Sequence, residues 1–227
     1  MSTSKVSSFV FYDTIIKRKE GVIMFASIRN HQPVMEGYKR TSAILVPLVQ
    51  KEQEWHVLFT KRALTLRYQP GDICFPGGGI EACETEKDAC IREVMEELGV
   101  NRNQIEILGE VDTVITPFRA CVYPFVGILK LDDQGACNVN KDEVDELLYI
   151  PLSFFLQHQP TQYQIGLKQV FPSDYPFEKI QNGRAYQWPH AYHMQYFYNY
   201  QGNTIWGLTA RIMQNVITIM KEEGELV

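Results

Sequence analysis

The sequence predicts a mixed α/β domain on three observations: short aliphatic runs of strand length, one helical segment with an apolar arc opposite an acidic one, and a closing amphipathic helix. Before Arg40 the pattern is indistinct; Phe9, Tyr12 and Ile16 hint at a helix and Val22 to Ile28 at a strand. Ser42 to Val49 (SAILVPLV) and Trp55 to Thr60 (WHVLFT) read as two strands around the polar loop Gln50 to Glu54. Ile105 to Val114 and Cys121 to Leu129 read as two more, broken at Pro117. Pro124 argues for an edge position or a bulge in the second, because proline cannot donate to a ladder. Asn138 to Glu146 is a polar loop leading to a short element around Leu147 to Ile150, and Pro151 suits the first turn of a helix in PLSFFLQ. Gln159 to Gln201 is rich in aromatics and prolines; Met194 to Tyr200 alternates as a strand that turns at Gln201-Gly202-Asn203. Leu208, Ile212, Val216 and Ile219 recur at helical spacing up to about Glu223.

With 45% apolar and 22% charged residues in 227, the composition is that of a globular chain long enough to bury a real core. No repeat, low-complexity tract or clear linker divides it. The formal charge is −5, and Gly78 to Val100 alone holds seven acids against Lys87 and Arg92, so the acidity is local and the remainder is balanced. No basic stripe suited to nucleic acid appears. The N-terminus lacks a signal-peptide pattern, no apolar run approaches the ~20 residues of a membrane helix, and the final residues are not a peroxisomal address. Five cysteines, an odd number with no C-x-x-C pair, read as reduced thiols, with Cys90 packed in a helix core. The expected compartment is therefore cytoplasmic, with neither nucleic acid nor membrane as a partner.

The chemistry concentrates in Gly78 to Val100, GGIEACETEKDACIREVMEELGV. On a helix, Cys90, Ile91, Val94, Met95 and Leu98 fill one arc, while Glu93, Glu96 and Glu97, at i, i+3 and i+4, share the opposite flank with Glu86. Such like charges repel by roughly 0.2–0.5 kcal/mol per pair on an isolated helix, and a hard divalent cation reverses the sign. Taken alone, a Glu cluster of this kind is more often a solvated helix face. Here it follows Phe75-Pro76-Gly77-Gly78-Gly79, a turn whose backbone can be approached closely, and Gly99 suits the left-handed position past the helix end. Mg²⁺ or Mn²⁺, held by a few carboxylates together with substrate phosphates, matches that description.

The spacing G-x5-E-x7-R-E-V-x-E-E-x-G-V, carried by Gly78, Glu84, Arg92, Glu93, Val94, Glu96, Glu97, Gly99 and Val100, resembles the Nudix box. The resemblance implies an α/β/α sandwich with a mixed β-sheet over residues 41–227, with residues 1–40 as an extension packed on it. It also implies metal-dependent hydrolysis of a small-molecule diphosphate, and a homodimer is the assembly it suggests. A second run, Leu58 to Gly78 (LFTKRALTLRYQPGDICFPGG), resembles the element of Nudix hydrolases that act on coenzyme A. Thr60, Arg62, Ala63, Arg67, Gly71, Phe75, Pro76, Gly77 and Gly78 match, and Phe59 replaces a leucine. Leu108-Gly109, Val111-Asp112, Pro124 with Val126-Gly127, and Ile205 to Arg211 (IWGLTAR) look like the same subfamily.

The implied reaction cleaves the diphosphate of coenzyme A or its derivatives, giving 4′-phosphopantetheine and adenosine 3′,5′-bisphosphate. By the resemblance, Glu93 and Glu97 are the principal metal ligands, Glu96 a further ligand or base, and the Gly78 carbonyl completes the sphere. Arg92 orients a glutamate, Glu84 pairs with Arg92 or caps the turn, and Glu96 or Glu143 is the general base. Arg62 and Arg67, with Gly77 and Gly78, are expected to bind substrate phosphates, guanidinium being suited to bidentate phosphate contact; an ion pair with an acid of the box is the alternative for each. The aromatics of Gln159 to Tyr200 are expected to build core or a dimer contact rather than bind ligand, and His190 and His193 to sit in an aromatic loop rather than bind metal. Two other readings compete: a Nudix enzyme for ADP-ribose, a dinucleotide or another nucleoside diphosphate derivative, and a nucleotide-sensing domain without turnover.

Overall fold

The computed structural model describes residues 40–131 and 137–222, with His31 and Gly37 as isolated positions. The chain divides into two units, Met1–Gly37 and Tyr38–Val227, and the fold is that of the second. The helix and strand expected before Arg40, and the packing of that extension, lie outside the described residues.

In chain order the elements are β1 (Arg40–Lys51), β2 (Glu54–Arg62), β3 (Ile73–Cys74), β4 (Gly77–Gly79), α1 (Glu86–Leu98), β5 (Ile105–Glu110), β6 (Val114–Ile115) and β7 (Ala120–Leu129). There follow β8 (Val144–Pro151), α2 (Leu152–Gln157), β9 (Thr161–Leu167), β10 (Ala191–Tyr200), β11 (Asn203–Trp206) and α3 (Gly207–Glu222). A mixed sheet contains β1 to β8: β1 pairs parallel with β7, and the other ladders are antiparallel. A smaller antiparallel sheet runs β11-β10-β9.

Period-two alternation splits β1 between two cores. Ala43, Leu45 and Val49 pack with Ala89, Cys90, Val94 and Leu98 of α1. On the other face Ile44, Val46 and Leu48 pack in the cluster that holds Phe155 of α2 and Ile212, Met213 and Val216 of α3. Strand β7 does the same, with Phe125 and Leu129 toward α1 and Val122 and Val126 toward α3. The sheet therefore lies between helices, an α/β/α sandwich. No helix among the described residues is long and apolar enough to cross a membrane.

The departure that creates the site is a fork. β1 and β2 pair only from Leu48↔Val57 to Lys51↔Glu54, closed by a turn with Glu52 and Gln53 at positive φ. Beyond it the two strands separate; β3 pairs with β2 at Thr60 and Lys61, and β4 pairs with β1 at Ser42 to Ile44. The segment Ile73–Gly79 thus fills the wedge, and Leu45 N–H donates to Pro76 O at 2.9 Å.

Four expectations need correction. Of the two alternatives for Pro124 the edge position is the one to drop, since β7 lies between β1 and β5, while the β5–β7 ladder is irregular beside it. The proline is tolerated because the neighbouring ladder breaks opposite it, between Glu110↔Phe125 and Val114↔Val122, where Val111 N–H donates to Pro124 O at 3.0 Å. For the same reason Ile105 to Val114 is two strands rather than one, with a further register shift at Gly109. The loop from Asn138 ends earlier than expected, since β8 starts at Val144 in pairing with Arg62. His193 is in strand β10, not in a loop.

Candidate active site

Helix α1 is specified at both ends. Thr85 caps it, its Oγ1 accepting from Asp88 N–H at 3.1 Å, and Glu86 and Asp88 oppose the positive end of the helix dipole. Gly99 ends it at φ 63°, donating to Met95 O at 3.0 Å. A Cβ at Gly99 would overlap Asn138 O, so glycine also permits the next loop to close on the helix. Asn140 N–H then donates to Glu97 O at 2.9 Å and Glu143 N–H to Asn140 O at 3.0 Å. That chain of bonds carries Glu143 back toward the acidic flank, close enough for its charge to bear on both Glu93 and Glu97.

Arg92 organises the flank. Its Nη2 donates to Glu84 Oε1 and to Gly79 O, both at 2.9 Å, and its Nε reaches Glu84 Oε2 at 3.2 Å, a two-pronged pair. Its Nη1 donates to Glu93 Oε1 at 2.9 Å and to Glu96 Oε2 at 3.4 Å. Glu84, which also accepts from Glu81 N–H, is held below the usual carboxylate range by the guanidinium. One cation thus fixes three glutamates and the glycine strand.

The three glutamates of the box are not equivalent. Glu96 is exposed and turned to Arg92. Glu93 lies over β4 so closely that a Cβ at Gly78 would overlap its carboxylate, and burial raises its pKa against the lowering pull of Arg92. Glu97 accepts from Gly77 N–H at 3.3 Å; burial pushes it up to about 8, and Glu143 and Glu93 push the same way. Gly77 itself has φ 145°, and a Cβ there would overlap Ala43 O. Glycine at these two positions is required by the neighbouring backbone and carboxylate.

Among the described residues no three His, Cys, Asp or Glu side chains already converge into a closed cation cage. Glu93 and Glu97 nevertheless fit a hard divalent ion held partly by substrate, which needs only one or two carboxylates. Two half-buried acids with elevated pKa, repelling each other beside an exposed glycine backbone, are relieved by a cation or by a proton.

Arg62 and Arg67 both reach Tyr68, one its carbonyl and the other its ring. Arg62, at the end of β2, donates through Nε and Nη2 to Tyr68 O at 3.3 and 3.2 Å and exerts its charge on Glu97. Its backbone closes the loop to β3, taking Asp72 O at 2.9 Å and giving its carbonyl to Gly71 N–H at 3.1 Å. Arg67 is exposed, its guanidinium 5.4 Å from the Tyr68 ring centre. Neither forms an ion pair with an acid of the box among the described residues. A cavity of about 540 Å³ opens beside Arg62 and Cys74, and its aromatic walls are Phe118 and Trp206. Neither residue was expected as a site residue; the signals in the sequence were the IWGLTAR run and an aromatic directly after Pro117. Phe171, Tyr175, Phe177 and Trp188 instead pack on one another.

Residues 39–172 match the NUDIX domain family. The mouse protein named peroxisomal coenzyme A diphosphatase NUDT7 is 35% identical over 128 residues, 56% of this chain and 53% of that protein, so this chain spans about half that relative's length. Nudix hydrolase 3 of Caenorhabditis elegans is 31% identical over 189 residues, covering 80% of this chain and 73% of the relative. The uncharacterized Nudix hydrolase NudL of Enterobacter is 30% identical over 181 residues, 78% and 81% of the two chains.

Proposed function

The chain belongs to the NUDIX domain family, and from that premise we propose that it hydrolyses the diphosphate of coenzyme A or a coenzyme A derivative to 4′-phosphopantetheine and adenosine 3′,5′-bisphosphate. At the coarser level it is a Nudix hydrolase acting on diphosphate bonds. The substrate assignment is supported by one observation: within the run Leu58 to Gly78, Arg62 exerts its charge on Glu97, and at the end of the run, placed by the fork between β1 and β2, Gly77 donates to Glu97 and Gly78 faces Glu93. A basic group for phosphate and a glycine strand for close approach thus meet at the acidic flank. The mouse relative's name supports the same substrate.

Glu93 and Glu97, with Glu96 and the Gly78 carbonyl, would hold the Mg²⁺ or Mn²⁺. A divalent ion bound there supplies Lewis-acid polarisation of phosphoryl oxygen and a nucleophilic water at neutral pH. Arg92 keeps Glu93 aimed at β4, and Arg62 steadies the negative charge of the diphosphate. Glu96 is engaged by Arg92, whereas the Glu143 side chain has no ion pair among the described residues, so Glu143 is the proposed general base. The proposed compartment is the cytoplasm, supported by the thiols of Cys74, Cys83, Cys90 and Cys121, which stand outside any disulfide; a homodimer is proposed on resemblance alone.

Mass spectrometry of products after incubating the protein and Mg²⁺ or Mn²⁺ with coenzyme A, its thioesters and ADP-ribose tests the reading. Phosphopantetheine, free or acylated, together with adenosine 3′,5′-bisphosphate is expected. Efficient cleavage of ADP-ribose with coenzyme A untouched would overturn it, and no cleavage of any of them would favour a sensing domain.

A further inference from the structure

The cavity beside Arg62 has walls from the β2–β3 loop, the turn before β7, strand β10 and the start of α3. At about 540 Å³ it is the size of a small-ligand site. Its lining is mostly apolar, yet it holds two guanidinium groups, Arg62 and Arg211, against one carboxylate, Asp72. Arg211 has no carboxylate partner among the described residues and stands near the amino end of α3, whose first turn contains no acid. The helix dipole opposes a cation there. An anion arriving from the cavity relieves that repulsion at the start of the helix, whose Gly207, Leu208 and Thr209 line the cavity.

Two aromatic surfaces accompany the charge. Trp206 stacks one face on Phe197, rings 15° apart, yet stays 39% exposed. Phe118 is 78% exposed, its ring set edge-on to His193. Planar apolar faces left open beside two cations suit a ring that bears a phosphate. A pantetheine arm, with neither ring nor phosphomonoester along its length, makes poor use of them.

We propose that this cavity is the nucleoside subsite and that Arg211 is the specificity residue for a phosphomonoester on the ribose, so that a 3′-phosphorylated adenosine is selected over its dephosphorylated form. The inference rests on the coenzyme A reading and names which end of that substrate enters the cavity. Arg62, on the border between the cavity and Glu97, then faces the diphosphate, while Arg211 reads the separate phosphate.

Two measurements test it. In titration calorimetry without metal, the wild type should bind adenosine 3′,5′-bisphosphate about 10- to 100-fold more tightly than 5′-AMP, the range of one charge-assisted contact. Arg211→Gln should bring that ratio close to one, and Arg211→Lys should restore part of it. In turnover, the ratio of kcat/KM for coenzyme A over 3′-dephospho-coenzyme A should collapse in the same order. Equal wild-type binding of the two nucleotides, or a ratio preserved in Arg211→Gln, would overturn the subsite. So would an equal loss on both substrates, the pattern expected if the pantetheine arm occupies the cavity. If coenzyme A is not a substrate at all, the parent reading fails, and the nucleotide-binding ratio still judges the subsite by itself. Circular dichroism of the folded variants guards against a loss that is only structural.

Discussion

The Glu97 carboxylate is set against β4 with Gly77 N–H as its donor, and burial pushes its pKa up to about 8. Because the folded pKa lies above the ordinary carboxylate value, the fold favours the protonated form. Its contribution to stability is complete below pH ~4.5 and is lost as pH rises through about 8. Urea unfolding of metal-free protein should therefore show stability falling between those limits, and Glu97→Gln should flatten the slope while abolishing activity. An unchanged slope would mean that Glu97 is not the titrating group. Glu143→Gln should lower kcat by about 10²- to 10⁴-fold, the range of general-base catalysis, with KM within a few-fold; unaltered kcat excludes it as the base. Gly78→Ala must displace the Glu93 carboxylate, and a misplacement of about 1 Å is enough to lower kcat about 10²-fold. Steady-state kinetics at wild-type folding stability would check it. The sequence marked the glycine turn as accessible backbone; that Glu93 itself occupies the face of Gly78 required the strand pairing of β4 with β1.

At the scale of elements, α1 is a lever with both ends anchored. Gly99→Ala places a side chain at φ 63° and against Asn138 O, so it should destabilise by more than ~1 kcal/mol. It should also lower kcat, because the loop bonded to Glu97 O carries Glu143; a stability loss with no kinetic change would separate the loop from the chemistry. Helix α1 was legible because the apolar arc, the acidic flank and Gly99 agree, whereas its Thr85 cap emerged only from the structure; β1, β2 and α3 were legible from their apolar patterns. Strand β9 was not, since all seven of its residues are exposed and no hydrophobic period marks it. Strand β11 is four residues long and runs directly into α3. Pro124 was half legible: proline excludes a continuous ladder, so an edge or an irregularity was expected, and the sequence could not show that β5 and β6 leave a gap opposite it.

For the whole molecule, the sandwich converts two stretches of sequence into one place. Ile73–Gly79 in the β1–β2 fork brings the end of the run Leu58 to Gly78 to the acidic helix, and the start of α3 lines the cavity beside Arg62. Residues of the box were readable because their spacing is local. Phe118, Trp206 and Arg211 come together only through the packing of distant segments, so their grouping was not. The most direct test is to titrate Mg²⁺ or Mn²⁺ into chelator-stripped protein while following coenzyme A hydrolysis, with Glu97→Gln in parallel. A saturable rise from a negligible baseline, absent in the variant, is predicted; hydrolysis that survives chelation, or an equal rise in Glu97→Gln, would contradict the account.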